Sequence, residues 1–242
     1  MNLIIDVGNT NVKAAVFEKH TIVELVVFDK RRILSEIKNI LKKYTISDGI
    51  MSSVATISNF KLKKLHQLLK FTTVSSSTNV PFINLYKTPS TLGVDRIALV
   101  VAAVSQFFNK NILIIDAGTC ITYDFVNAKK EYLGGAISPG IQMKFNALHQ
   151  FTANLPLLEK EELGSFIGES TKQSMNVGVV NGVIQEIEGV ISQYKQKYID
   201  LTVVLTGGDT NFLSKQLKSS IFANQNFLLQ GLNELLIFNT DK

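Results

Sequence analysis

The chain is poor in the residues that mark several protein classes. It has one cysteine, Cys120, in 242 residues, which excludes a disulfide-stapled fold and a zinc ribbon and leads us to expect a cytoplasmic, reducing location. Its three histidines, His20, His66 and His149, lack metal-ligand spacing. The longest purely apolar run, Ile97 to Val104, is far short of the roughly 20 residues of a membrane-spanning helix. The opening Met1 to Asp6 has no basic leader, so no secretory signal is expected. No G-x-x-x-x-G-K-[ST] loop is present, so any nucleotide must be held by another device. No Ser-His-Asp constellation can be drawn.

Of the chain, 45% is hydrophobic and 19% charged, which excludes an intrinsically disordered protein. The length suits one large domain or two of about 110 to 130 residues. The net charge of +5 is uneven: residues 1–112 carry 15 basic and 7 acidic side chains, residues 113–242 carry 10 and 13. A basic half can serve nucleic acid, a membrane surface or a small anion. Its lysines, however, fall mainly around Lys30 to Lys43 and Lys61 to Lys70, where Ile33, Ile37, Ile40, Leu41 and Leu62, Leu65, Leu68, Leu69 recur at helical spacing. That pattern predicts two amphipathic helices with solvated lysine faces and no nucleic-acid or membrane partner.

In the first half, strands are predicted over Leu3–Ile5, Val12–Phe17, Ile22–Phe28, Gly49–Val54 and 71–74. Helices are predicted over Arg31–Tyr44, Phe60–Lys70 and 94–108, with a turn-rich stretch over Ser75–Leu92. In the second half, strands are predicted over Ile112–Ile115, Cys120–Val126, Tyr132–Ile137 and Leu201–Leu205. Helices are predicted there over 141–149, 170–197, 212–217 and 229–238. Strands leading into helices argue an α/β fold with a mixed sheet in each half.

An internal repeat is the most informative feature. Leu3-Ile4-Ile5-Asp6-Val7-Gly8-Asn9-Thr10 recurs as Leu113-Ile114-Ile115-Asp116-Ala117-Gly118-Thr119, with one residue dropped before Thr119. Each copy is an apolar strand ending in Asp-x-Gly and a hydroxyl residue. Duplication predicts two similar halves, 1–111 and 112–242, each presenting an acid and a glycine hairpin to a cleft between them.

Such a hairpin can cradle phosphate oxygens with backbone N–H groups and with the Asn9 and Thr10 side chains. Asp6 repels phosphate directly, but makes sense beside a divalent cation, with water between. Lys13 can add positive charge or turn to solvent. Asp116, Gly118 and Thr119 offer a second phosphate or cation contact. Gly93-Val94-Asp95-Arg96 precedes an apolar helix. Asp95 can cap that helix or accept a proton from a substrate hydroxyl, and Arg96 can grip an anion bidentately. Tyr86 can line the same pocket or be an ordinary loop aromatic. Gly134 to Gly140 and Thr206-Gly207-Gly208-Asp209 are glycine turns suited to close backbone packing or ligand approach. Ser170 or Thr171 opens a long helix.

Together, Asp6-x-Gly-Asn-Thr10, Gly93-x-Asp-Arg96, Asp116-Ala-Gly-Thr119, Gly134-Gly-x-Ile-x-Pro-Gly140 and the Thr171 region resemble the type III pantothenate kinases, also called the Bvg accessory factor family. The resemblance spans nearly the whole chain. It implies two ribonuclease H-like halves of the sugar kinase, chaperone ATPase and actin superfamily. The implied reaction moves the ATP γ-phosphate to the primary hydroxyl of pantothenate, the first step of coenzyme A synthesis. On that model Asp6, Val7, Gly8, Asn9, Thr10, Asn11, Val12, Lys13 and Thr119 contact ATP. Tyr86, Gly93, Val94, Asp95, Arg96 and Thr171 contact pantothenate, with Asp95 as proton acceptor. Asp116 resembles a monovalent-cation ligand for K+ or NH4+, while Mg2+ accompanies ATP near Asp6. A homodimer is implied. Ala15 and Cys120 depart from the residues common in the family, without removing a polar group the chemistry needs. The alternatives are another small-molecule kinase of the superfamily or a nucleotide-binding regulatory factor.

Overall fold

A computed structural model describes residues 1–8, 11–53 and 58–240. They fall into two compact units: Met1–Phe108 with Lys130–Leu133 and Asn226–Lys242, and Asn109–Lys129 with Gly134–Gln225. The C-terminal segment differs from expectation, because residues 226–240 group with the first unit.

The first unit is built on five strands: β1 (Asn2–Val7), β2 (Val12–Glu18), β3 (Thr21–Phe28), β4 (Asp48–Ser53) and β5 (Phe71–Thr73), in the order β3-β2-β1-β4-β5. The β1-β2 and β2-β3 pairs are antiparallel; β1-β4 and β4-β5 are parallel. One sheet face, carrying Leu3, Ile5, Val7, Val12, Ala14 and Val16, is buried with Ile33, Ile37 and Ile40 of α1 (Ile33–Lys43) and Leu65 of α2 (Asn59–Leu68). Both helices therefore bury their apolar stripes, as the spacing predicts. Two further helices, α3 (Val94–Gln106) and α8 (Phe227–Thr240), pack together where Gly231 approaches the backbone of Ala98. The apolar run Ile97 to Val104 is the buried heart of α3.

The second unit repeats this plan. Its strands β7 (Asn111–Ala117), β8 (Cys120–Val126), β9 (Glu131–Pro139), β10 (Leu201–Thr206) and β11 (Phe222–Ala223) run in the order β11-β10-β7-β8-β9. With β7 taking the place of β1, the order is that of the first sheet, again with an antiparallel hairpin and two parallel neighbours. The first residues of β9 count with the first unit, where Glu131 and Tyr132 pair with β6 (Ile83–Asn84). A core of Leu113, Ile115, Tyr123, Phe145, Val183, Ile187 and Val203 joins this sheet to α4 (Ile141–Gln150) and α6 (Gly182–Lys197).

Several local expectations change. The helix expected over 170–197 is α5 (Thr171–Asn176), a π-helical segment (Val177–Asn181) and α6; the π segment inserts a wider turn that side-chain periodicity cannot register. The helix expected over 212–217 begins earlier and is short, α7 (Thr210–Leu213). The two-residue strands β6 and β11 carry too little pattern to be read. Val54, expected to end a strand, lies outside the described residues.

Candidate active site

The first hairpin joins β1 to β2. Asp6 sits one residue before the end of β1, level with Lys13 on β2 and Ser52 on β4. Ser52 is fully buried and its hydroxyl donates to Asp6 Oδ1 at 2.8 Å. Burial pushes the Asp6 carboxyl above the ordinary aspartate range, and the nearby negative charge of Asp95 adds to this. The Ser52 hydrogen bond and the Lys13 ammonium act the other way. In the turn, the Gly8 N–H donates to the Asn11 carbonyl at 3.1 Å. Asn9 and Thr10, both expected at the phosphates, lie outside the described residues. Val7 and Val12 are fully buried in the core, so they can offer a ligand only their backbone.

Asp95 enters this setting from the start of α3. The residue capping α3 is Gly93, which brings no side-chain hydrogen bond. Asp95 is thus not the N-cap; it lies in the first turn, and its Oδ1 accepts the Arg96 N–H at 2.8 Å. A Cβ at Gly93 would meet that carboxylate oxygen, so a larger residue there would oblige the Asp95 side chain to shift. Arg96 is 6% exposed, and its guanidinium lies 5.6 Å from the centre of the Tyr86 ring. Tyr86 stacks on the buried ring of Tyr132 at 6.0 Å, and Phe82 meets Tyr132 edge-on at 6.1 Å. The first unit therefore gathers Asp6, Lys13, Tyr86, Asp95 and Arg96. It adds two residues the sequence did not single out, Ser52 and Tyr132.

Asp116, Thr119 and Thr171 belong to the second unit. Asp116 is half-buried at the end of β7, level with the buried Thr206 of β10. Exposed Thr119 sits in a three-residue turn whose Gly118 N–H donates to the Cys120 carbonyl at 2.9 Å. Two glycine turns pack against this hairpin. The Gly140 N–H donates to the Thr119 carbonyl at 3.1 Å, and Gly207 adopts φ +97° beside the Ala117 carbonyl and the Asp116 carboxylate. The Asp209 N–H donates to Ala117, and its carboxylate pairs with Lys160. Thr171 is the exposed first residue of α5, after Ser170, whose hydroxyl caps the helix by accepting from Gln173 N–H at 3.3 Å.

Two mixed sheets of one strand order, each ending its first strand in an acid and a tight turn, define the sugar kinase, chaperone ATPase and actin class of fold. Solved structures agree. A glucokinase from an Antarctic psychrotroph is similar at TM-score 0.52 and 10% identity, with 99% of each chain covered. A protein from Campylobacter jejuni, named for a Baf family transcriptional activator, is similar at TM-score 0.66 and 20% identity over 99% of this chain and 100% of that one. The model of the type III pantothenate kinase family matches residues 2–193. The type III pantothenate kinase of Christiangramia forsetii is 49% identical, with 99% of each chain covered. This chain belongs to the type III pantothenate kinase family.

Proposed function

We propose that this ATP-dependent kinase phosphorylates the primary hydroxyl of pantothenate, giving 4′-phosphopantothenate at the start of coenzyme A synthesis. The observation that carries this reading is the gathering of Asp95, Arg96 and Tyr86 at the start of α3, beside Asp6, in a chain of this family.

Arg96 supplies a rigid, planar cation backed by an aromatic stack, suited to hold the carboxylate of pantothenate in a fixed orientation. Asp95 accepts the hydroxyl proton as the hydroxyl oxygen forms its bond to the γ-phosphorus and ADP leaves in line. Gly93, Val94 and Tyr86 complete the pantothenate contacts of the first unit, and the family resemblance adds Thr171 of the second unit as a contact. On this reading residues 6–13 of the first hairpin, with the side chains of Asn9 and Thr10, are the first unit's ATP contacts, and Thr119 is that of the second hairpin.

Among the described residues no three His, Cys, Asp or Glu side chains form a metal cage. The half-buried carboxylate of Asp6, at the first hairpin, would face a Mg2+ ion arriving with ATP, through water. There the ion would supply charge neutralisation at the phosphates. Asp116, among backbone carbonyls of the second hairpin, suits a K+ or NH4+ ion. The two units are read as duplicated ribonuclease H-like halves of a cytoplasmic homodimer.

The test is coupled ADP release with pantothenate, with and without K+, for the parent chain and Asp95→Asn. The variant is expected to melt like the parent and bind ATP, yet lose about 10²- to 10⁴-fold in kcat. A near-parental kcat removes Asp95 as the proton acceptor, and preference for a sugar hydroxyl removes pantothenate as the substrate.

A further inference from the structure

We propose that Ser52 is a positioning residue for the Asp6 carboxylate, and that each copy of the repeat uses a hydroxyl on the parallel neighbouring strand for its acid. Asp6 and Ser52 stand level in the β1-β4 register, 46 residues apart in sequence. The Ser52 side chain is 0% exposed and donates to Asp6 Oδ1 at 2.8 Å. In the second unit, Asp116 stands level with Thr206 in the β7-β10 register, and Thr206 is 1% exposed. The two copies have diverged in hairpin length and in the residue level with each acid on the other side, Lys13 in one and Thr122 in the other. They have kept a buried hydroxyl at this single position.

The physical reason is rotational. The last torsion of an aspartate is broad and roughly two-fold, so an acid at a strand end does not by itself present one edge. A donor fixed on the next strand holds one oxygen and thereby sets the direction of the carboxylate. Hydrogen bonds to a charged group are the stronger ones, and a buried partner has no water to replace it. This inference rests on the reading that Asp6 serves the Mg2+ accompanying the nucleotide.

Calorimetric titration of ADP, with and without Mg2+, separates the possibilities in the parent, Ser52→Ala, Ser52→Thr, Asp6→Asn and the double variant. Ser52→Ala is expected to keep metal-free ADP affinity and lose about tenfold of the Mg2+-dependent gain. Ser52→Thr, the residue the second copy uses, restores most of it. In the Asp6→Asn background, Ser52→Ala costs nothing more, because both act through one carboxylate. Equal weakening with and without Mg2+, a parental Mg2+ gain in Ser52→Ala, or no recovery in Ser52→Thr overturns the proposal. If Asp6→Asn itself keeps the parental gain, the role of Asp6 falls and that of Ser52 with it. If only Asp6→Asn changes, Ser52 alone is rejected. Should Ser52→Ala fail to fold, Ser52→Cys, with similar volume and a weak donor, takes its place.

Discussion

Glu186 on α6 carries a small network of the second unit on one carboxylate. Tyr123 donates its hydroxyl at 2.8 Å and Lys144 its ammonium at 2.7 Å. Desolvation pushes this carboxyl up, but the bonds from Lys144, Tyr123 and Ser138 outweigh it and hold the group below its ordinary 4.5. A depressed folded-state value means that the ionised carboxylate stabilises the fold above the unfolded value, and that this contribution is lost as pH falls through the folded one. The Tyr123 phenol is pushed well above its ordinary value, first by burial and then by Glu186, so it stays a neutral donor throughout. Glu186→Gln is therefore expected to lower stability by about 1 kcal/mol at neutral pH, discounted for partial exposure. The gap to the parent should narrow as pH falls below 4.5 and through the depressed folded-state value, and thermal melts across acidic pH check it. A gap that is independent of pH refutes the assignment. The network was not legible in the sequence, because Tyr123, Ser138, Lys144 and Glu186 come from four elements. Asp95 and Arg96 were legible because two adjacent charged residues at the start of an apolar helix are a local pattern. Ser52 was not, since its meaning lies in a register that only the folded sheet sets.

Elements show where backbone approach replaces side-chain chemistry. Gly231 of α8 faces the Ala98 carbonyl of α3 so closely that a Cβ would overlap it, whereas Gly189, exposed in α6, has nothing within 4 Å of that position. The same substitution should then have opposite signs. Gly231→Ala forces the two helices apart and is expected to cost about 1–3 kcal/mol. Gly189→Ala relieves the entropy of a helical glycine and is expected to stabilise by about 0.5–1 kcal/mol. Chemical denaturation of both variants checks this pair; destabilisation of equal size in each removes the packing argument. Most strands and the amphipathic helices were legible because runs rich in Val, Ile, Leu and Phe, and helical spacing, persist over several residues. The dropped residue in the repeat was legible too: four residues separate the paired Val7 and Val12, and three separate Ala117 and Ile121. The π-helical turn was hidden, since Val177 to Asn181 continue the chain's helical path and a lone glycine such as Gly178 does not tell a π turn from an α turn.

At the scale of the molecule, the repeat announces two similar sheets but not which helices close them. Counting from the repeat placed the last helix with the second half; folding returns it to the first unit. Its inward residues, Phe227, Leu229, Leu232, Leu235 and Leu236, are all buried. Asn233, fully buried, accepts from the Asn2 side chain at 3.0 Å and donates to the Lys19 carbonyl at 2.8 Å, tying α8 to the start of β1 and to the β2-β3 turn. Each apolar side chain so buried contributes about 1.5–3 kcal/mol, against a whole-domain stability of about 5–15 kcal/mol. The first unit should therefore be unable to fold without α8. A fragment of residues 1–111, the half the repeat suggests, is expected to show helical circular dichroism at most, with dye-binding apolar surface and no cooperative melt. The same fragment mixed with a peptide of residues 226–242 is expected to gain a cooperative transition that strengthens with peptide concentration. Asn233→Leu in the peptide, which keeps the branched shape and removes both hydrogen bonds, should weaken that gain, because the Asn2 amide and the Lys19 carbonyl lose their partner. Cooperative melting of 1–111 alone would show that the halves close independently, and α8 would then be an added strap.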